Sequence, residues 1–294
     1  MFRIIQNSKY WYIISGLLVI LSIVAIAVFG LRVGIDYTGG SIITYETTTE
    51  DASSVIEDVL KENSISSFEI KESGDNQLTV RLESLEVVTH QKINSEILEK
   101  VTDLNEVKFD NIGPTIGKDL TKKSIYAVII ASIVIILFVA YSFRKLPKPL
   151  SSWKFGVMAV ITLIHDLIIT TGFVALMGAI LPWMEIDVLF ITALLTIMGF
   201  SVHDTIVIYD RLRENFIKHP GVQIEKSAEE SVNQTLIRSI NTSLTTIFVL
   251  LALFLLGGDS IRHFVLIMMF GIAIGTYSSI FVAAPLVVSW HKKK

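Results

Sequence analysis

Within the run IMGFSVHDTIVIYDRLRE (residues 197–214), Asp204 and the preceding His203 interrupt a stretch otherwise apolar enough to cross a bilayer. An ionised Asp at the centre of a membrane helix costs about 2.5–3.5 kcal/mol on insertion scales. A residue that costly needs a partner, a wet path or a task. Arg238 is the electrostatic match, because a guanidinium stays charged while a carboxylate gains and loses its proton. Beside Arg238 the carboxylate form is favoured; moved away into an apolar setting, the acid takes up a proton. That alternation is the minimum needed to couple proton movement to a change of shape. The energies match in scale, since one charge crossing 100 mV is worth about 2.3 kcal/mol.

Other polar residues recur at helical spacing. Thr162, Asp166 and Thr170 stand four apart with His165 beside Asp166, and Ser201, Asp204 and Thr205 share a face. Gln234, Arg238, Asn241, Thr242 and Thr245 form a third stripe. Lipid cannot satisfy such groups, so they face a bundle interior. The expected proton-coupling residues are Asp204 and Arg238, supported by His203, His165, Asp166, Ser201, Asn241 and Thr242. Blander readings stand beside this one: Ser/Thr stripes also glue helices together, arginines near span ends snorkel, and His165–Asp166 can be structural. A metal site from His165, Asp166, His203 and Asp204 is disfavoured, because adjacent helical residues point apart. Gly271 and Gly275 form a GxxxG that reads as close packing. His263 and His291 lie near span ends and read as interfacial.

These residues must be carried by membrane helices. The chain of 294 residues is 51% hydrophobic with mean hydropathy +0.60, and the apolar residues cluster in six blocks: 10–31, 124–143, 155–181, 188–209, 236–256 and 264–290. Each is long enough to span roughly 30 Å of hydrocarbon. The first is too long for a cleaved leader's apolar core and lacks a small-residue cleavage site after it. Without cysteine there are no disulfides or thiolate metal sites. Arg144, Lys145, Lys148 and Lys154 lie between the second and third blocks, Arg3 and Lys9 precede the first, and HKKK ends the chain. Positive-inside counting therefore puts both termini in the cytoplasm.

Residues 32–123 hold 10 Lys+Arg against 18 Asp+Glu, net −8, so the chain's −3 leaves +5 elsewhere. An acidic outer domain on a body with a basic inner face argues against nucleic-acid binding. SIITYET, SFEIKE, QLTVRLE and EVKFDNI read as strands, with a turn at SGDN between the second and third. ASSVIEDVLKEN and EVVTHQKINSEILEKV read as amphipathic helices. The order β-α-β-β-α-β is that of a ferredoxin-like domain. His90 reads as a surface residue. GPTIGKDL is not a phosphate loop: three residues separate its glycines, and Asp119 follows the lysine. Gly113-Pro114 instead ends the domain and starts a helix. The expected division is 1–31, N-terminus and first span; 32–123, outer α+β domain; 124–294, five-span body.

Six stretches together resemble the SecF family, which accompanies SecD and the bacterial Sec channel. They are VGIDYTGGSIITYE (33–46), IGPTIGKDL (112–120), His165-Asp166, LLTIMGFSVHDTIVIYDRLREN (194–215), ESVNQTLIRSINTSLTT (230–246) and GIAIGTYSSIFVAAPL (271–286). The resemblance implies one half of a resistance-nodulation-division-type transporter in the cytoplasmic membrane, with SecD supplying six further spans. It implies that the pair promotes export of polypeptides, driven by a proton or in some lineages a sodium gradient, with no cofactor. It places Asp204 and Arg238 in the ion-conducting site, completed by a SecD aspartate. Where the family commonly has Asn, this chain has His203, a titratable neighbour of the key acid.

Two other functions are weighed. A small-molecule or lipid exporter of the same superfamily normally has twelve spans and two outer domains, and this chain has half of each. An aspartyl protease using Asp166 and Asp204 lacks any GxGD, so the chain is not expected to be an enzyme. Half-sites facing lipid would be unsatisfied, which predicts an obligate heteromer.

Overall fold

The computed structural model describes residues 2–49, 51–72, 76–101, 103–144, 151–181, 183–219 and 222–292. Lys145, Lys148, Lys293, Lys294 and most of the SGDN turn, each used in the charge or turn reading, lie outside the described residues. The chain divides into two compact units, Met1–Arg32 with Ile125–Lys294, and Val33–Ser124.

The first unit carries the helices long and apolar enough to cross a membrane. They are α1 (Ser8–Phe29), α5 (Pro114–Ser142, which starts in the second unit), α6 (Ser152–Ile180), α7 (Val188–Lys218), α8 (Ile224–Leu256) and the span Arg262–His291. All six expected spans are present, and several helices outrun their apolar blocks. α5 begins at Pro114, and α8 begins at Ile224 with a polar, partly buried stretch. Helical hydrogen bonding does not stop where hydropathy falls, provided capping residues and tertiary contacts continue it.

The last span is three pieces: α9 (Arg262–Ser278), a π-helical turn Ser279–Ala283, and α10 (Ala284–Lys292). Pro285 supplies the cause. It has no N–H to donate, and its ring would meet the carbonyl of Phe281 in a regular helix, so the backbone widens just before it.

Small residues set the closest approaches in the bundle. A Cβ on Gly172 of α6 would overlap Ser22 of α1, and one on Gly271 would overlap Ile197 of α7. One on Gly275 would sit 3.1 Å from the Ser201 Cβ. Gly271 and Gly275 thus form a four-residue notch against α7, the close packing their spacing implies. α1 and α5 keep mainly exposed apolar faces, whereas α6, α7 and the last span bury half or more of their apolar windows.

The second unit is a four-stranded antiparallel sheet in the order β2-β3-β1-β4 with two helices, the ferredoxin-like arrangement. Its elements are β1 (Gly40–Thr47), α3 (Ala52–Glu62), β2 (Phe68–Glu72), β3 (Gln77–Leu82), α4 (Val87–Lys100) and β4 (Leu104–Ile112). Its core joins Ile43, Tyr45, Val80 and Leu82 from the sheet to Ile56, Val59, Leu60, Ile93 and Ile97 from the helices. His90 is a correction: it is buried, stacked at 3.7 Å between centroids on Phe109, with Nε2 3.2 Å from Glu106 Oε2. Its position on α4 turns it toward the sheet, where an imidazole can stack on an aromatic ring and still reach an acid.

The segment entering β1 also differs from a plain strand entry. A one-turn helix, α2 (Ile35–Thr38), precedes Gly39 and Gly40, whose φ angles are +74° and +133°. A Cβ at Gly39 would lie 2.9 Å from Pro114 Cα, and one at Gly40 would lie 2.8 Å from Leu82 O. A Cβ at Gly117 would in turn lie 2.9 Å from the Tyr37 carbonyl oxygen. The two glycine motifs of the chain, GIDYTGG and GPTIG, are therefore complementary backbone surfaces packed on each other. Gly40→Val is expected to destabilise this unit by about 1–3 kcal/mol, because φ and space both oppose a side chain. Limited proteolysis of the purified protein should then show faster cleavage within 33–124, and unchanged resistance would count against this packing.

Candidate functional site

Asp166 and Asp204 are buried carboxylates of the helical unit, on different helices. Asp166 on α6 is 0% exposed. Its Oδ2 accepts hydrogen bonds from Ser201 Oγ at 2.6 Å and Ser278 Oγ at 2.7 Å, and its Oδ1 lies 2.9 Å from His165 Nδ1. Helices α6, α7 and α9 thus meet at one acid. These donors replace part of the hydration that burial takes from the acid. The expectation that adjacent spacing turns His165 away from Asp166 is corrected here. The Cβ atoms do diverge, but the ring reaches back along the helix, and a fully buried acid rewards that geometry. His165 is 9% exposed, and its Nε2 has no hydrogen-bond partner among the described residues.

Asp204 on α7 is 6% exposed and takes a longer contact, 3.4 Å from Thr276 Oγ1. Thr276 itself bonds Ile272 O at 3.0 Å and the Ser243 hydroxyl of α8. One residue on, Thr205 Oγ1 meets Ser279 Oγ at 2.9 Å, and Ser279 also bonds Ser201 O at 3.0 Å. Where α9 passes into the π-helical turn, two consecutive serines thus face different helices, Ser278 reaching Asp166 of α6 and Ser279 reaching Thr205 and Ser201 of α7. Tyr209, wholly buried, finds Ala283 O at 3.2 Å in the same turn.

Arg238 and Asp204 are not in contact. Arg238 is exposed on α8, and among the described residues its guanidinium makes no hydrogen bond or ion pair. Asn241, Thr242 and Thr245 are exposed with it, as is His203 on α7. Ser239 and Ser243, on the other flank of α8, are buried against the bundle. The expectation that the α8 stripe faces the bundle interior is corrected: Gln234, Arg238, Asn241, Thr242 and Thr245 all lie on an outer face with His203, flanked by Ile237, Phe248 and Val249, while Ser239, Ser243 and Asp204 turn inward because the smaller groups fit the close packing. Among the described residues no group of three or more His, Asp or Glu side chains is placed to hold a metal. No hydrogen bond joins Asp166 to Asp204.

Several residues here escape a reading of spacing. Thr276, Ser278 and Ser279 sit in the apolar run GIAIGTYSSIFVAAPL, where a hydroxyl is the available signal. Glu229 is another: buried at the start of α8, it accepts from the backbone N–H groups of Ile4, Ile5 (3.1 Å) and Gln6 (3.2 Å). Asn233, one turn on, pairs with Phe2 N at 2.8 Å and Phe2 O at 2.9 Å. Together they tie the N-terminal segment to the helix that bears Arg238. His263 and His291 do lie near span ends; His263 Nε2 is 2.8 Å from Asp187 Oδ2, and His291 Nδ1 is 2.7 Å from Val287 O.

Residues 92–293 match the family described as protein export membrane protein SecD/SecF, C-terminal, and residues 24–51 match the SecD/SecF GG motif. The chain is 39% identical to a protein translocase subunit SecF of Thermobaculum terrenum, over all of this chain and 95% of that one. It is 36% identical to the SecF of Anaerolinea thermophila over 99% and 94% of the two chains. It is also similar to the crystal structure of a Thermus SecDF described as a translocon-associated membrane protein, with a TM-score of 0.84 and 30% identity over 99% of this chain. A super-membrane-facing form of SecDF matches with a TM-score of 0.70. The chain spans 39% of the length of the solved SecDF chain.

Proposed function

This chain belongs to the SecF family of protein translocase subunits, and from that premise we propose that, paired with a SecD-type chain, it couples an ion gradient to protein export through Asp204 and Arg238. It is a multi-pass membrane protein, and its role is transport rather than catalysis of a covalent reaction. No cofactor is required in this reading, because the stored energy is the gradient itself.

One observation carries the proposal. Arg238, Asn241, Thr242 and Thr245 on α8 and His203 on α7 form a polar outer face within membrane-length helices, beside the exposed apolar side chains of Ile237, Phe248 and Val249. An arginine facing hydrocarbon costs several kcal/mol, so this face belongs against another protein. A partner bringing an acid to it would supply what Arg238 lacks within this chain. Asp204, one layer in and linked to the same helix through Thr276 and Ser243, would then exchange its proton as the face opens and closes.

Basic residues between the second and third spans, and at both ends, set the termini in the cytoplasm and residues 33–124 on the outer side. The Sec channel and the exported polypeptides are the further partners in this reading. Purification in gentle detergent is expected to yield a SecD-type chain in equal amount. A single cysteine introduced at Ser95 of this cysteine-free chain should react with a membrane-impermeant maleimide from outside. An unrelated exporter half, or a functional complex of this chain alone, would overturn the assignment of partner and favour a small-molecule or lipid exporter.

A further inference from the structure

The mechanism above leaves His165 and Asp166 without a task, yet they are among the most enclosed polar groups in the membrane unit. The carboxylate is bonded on one side by His165 Nδ1 and on the other by two hydroxyls from different helices. For Nδ1 to bond a carboxylate it must carry a hydrogen, so the neutral ring has its lone pair on Nε2. That atom is buried and unpartnered among the described residues. The pair is therefore complete everywhere except at one proton-accepting position.

The surroundings allow its charge to change. Ser278 Oγ lies 2.7 Å from Asp166 Oδ2 and 3.0 Å from Gly275 O, and its one hydrogen can serve only one of them at a time. Among the described residues, no lysine or arginine of the elements packed on α6 makes a hydrogen bond or ion pair with His165 or Asp166. α1 carries Lys9 and Tyr10 at its start and Tyr12, bonded to Ser289; α5 carries Lys118, Asp119, Lys122 and Lys123 in its first turns; α9 carries Arg262 and His263 at its start and Tyr277, bonded to Ser15; α10 carries His291, bonded to Val287 O, in its last turn. On α7 the nearby titratable residues are His203, which is exposed, and Asp204, held through Thr276.

We propose that His165 and Asp166 form a second, internal proton-holding site that loads and unloads one proton at His165 Nε2. In loading, the Nε2 lone pair forms an N–H bond while an O–H bond of a hydronium ion breaks and leaves water. The pair gains one positive charge, and unloading reverses this. Ser278 follows by swinging its hydroxyl between Asp166 and Gly275 O. Because Ser201 precedes Asp204 by three residues and Ser278 follows Thr276 by two, a change at Asp166 reaches both helices that hold Asp204. This deepens the ion-coupled reading and rests on it.

The test is His165→Asn in the full complex with its partner chain, measured in membrane vesicles. The Asn amide stands where Nδ1 stood and keeps a donor to Asp166, but nothing replaces Nε2. Gradient-driven export is expected to fall about tenfold or more, and the remainder to lose its dependence on pH between about 5 and 8. Wild-type rate and pH profile in that variant would overturn the proposal. If the variant does not accumulate, ¹⁵N-histidine spectra of the wild-type complex decide. An Nδ1–H imidazole that converts to imidazolium as pH falls supports the site, and a buried ring signal unchanged over that range overturns it. Loss of the gradient response in Asp204→Asn with normal behaviour in His165→Asn removes only this internal site; the reverse pattern removes only the assignment of Asp204.

Discussion

Asp204→Asn is expected to leave the complex assembled while abolishing the response of export to an imposed gradient. Asparagine has nearly the same shape, and its Oδ1 can still accept from Thr276. What it loses is the exchangeable charge. One charge moved through 100 mV is worth about 2.3 kcal/mol, which corresponds to a factor of about 50 in a driven step. The packing around it, Gly275 against Ser201 and Gly271 against Ile197, does not involve the carboxylate and should hold. The measurement is export by vesicles with and without the gradient, beside partner recovery on purification. A variant that still accelerates when energised would remove Asp204 from the mechanism, whatever its absolute rate.

Asp166→Ala is expected to fail in a different way, through stability. The substitution strips the acceptor from Ser201 and Ser278 and the partner from His165, all buried among the helices. Breaking a buried charged pair from one side costs about 3–5 kcal/mol. That approaches the whole stability of many domains. Asp166→Asn, which keeps an acceptor of the same size, should recover much of this. Thermal unfolding of the purified complex reads the difference. Equal midpoints for wild type and Asp166→Ala would mean that the junction of α6, α7 and α9 does not depend on this acid.

The contrast between the acids follows from what surrounds them. Asp166 is enclosed by its own chain, with three donors from three helices. Asp204 is held more loosely, 3.4 Å from Thr276 Oγ1, and stands behind a polar face that this chain leaves open. A structural or internal role suits the first, and an exchange role at a subunit boundary suits the second. His203, beside Asp204 but exposed, lies on that boundary rather than in the core. A histidine there can face the partner chain without being buried with the acid.

Much of this protein was legible in residue order alone. Six apolar blocks became six membrane-length helices because hydropathy is a local sum and the backbone in lipid has no alternative but to bond to itself. Alternation and helical stripes likewise gave the strands and helices of the sheet unit, whose buried face must repeat with the element's own period. The choice of Asp204, Asp166 and Arg238 followed from the cost of polar groups in apolar runs. What spacing could not give was who meets whom. Ser201 and Ser278 reach Asp166 across 35 and 112 residues of chain, and Glu229 grips a segment more than 220 residues away. His165 bends back to its neighbour although helical periodicity points it elsewhere. Such contacts depend on helix crossings set by Gly172, Gly271 and Gly275 and on a widened turn before Pro285, and these emerge when the helices pack. Local energies chose the elements, and packing at the glycine notches chose the partners of each buried charge.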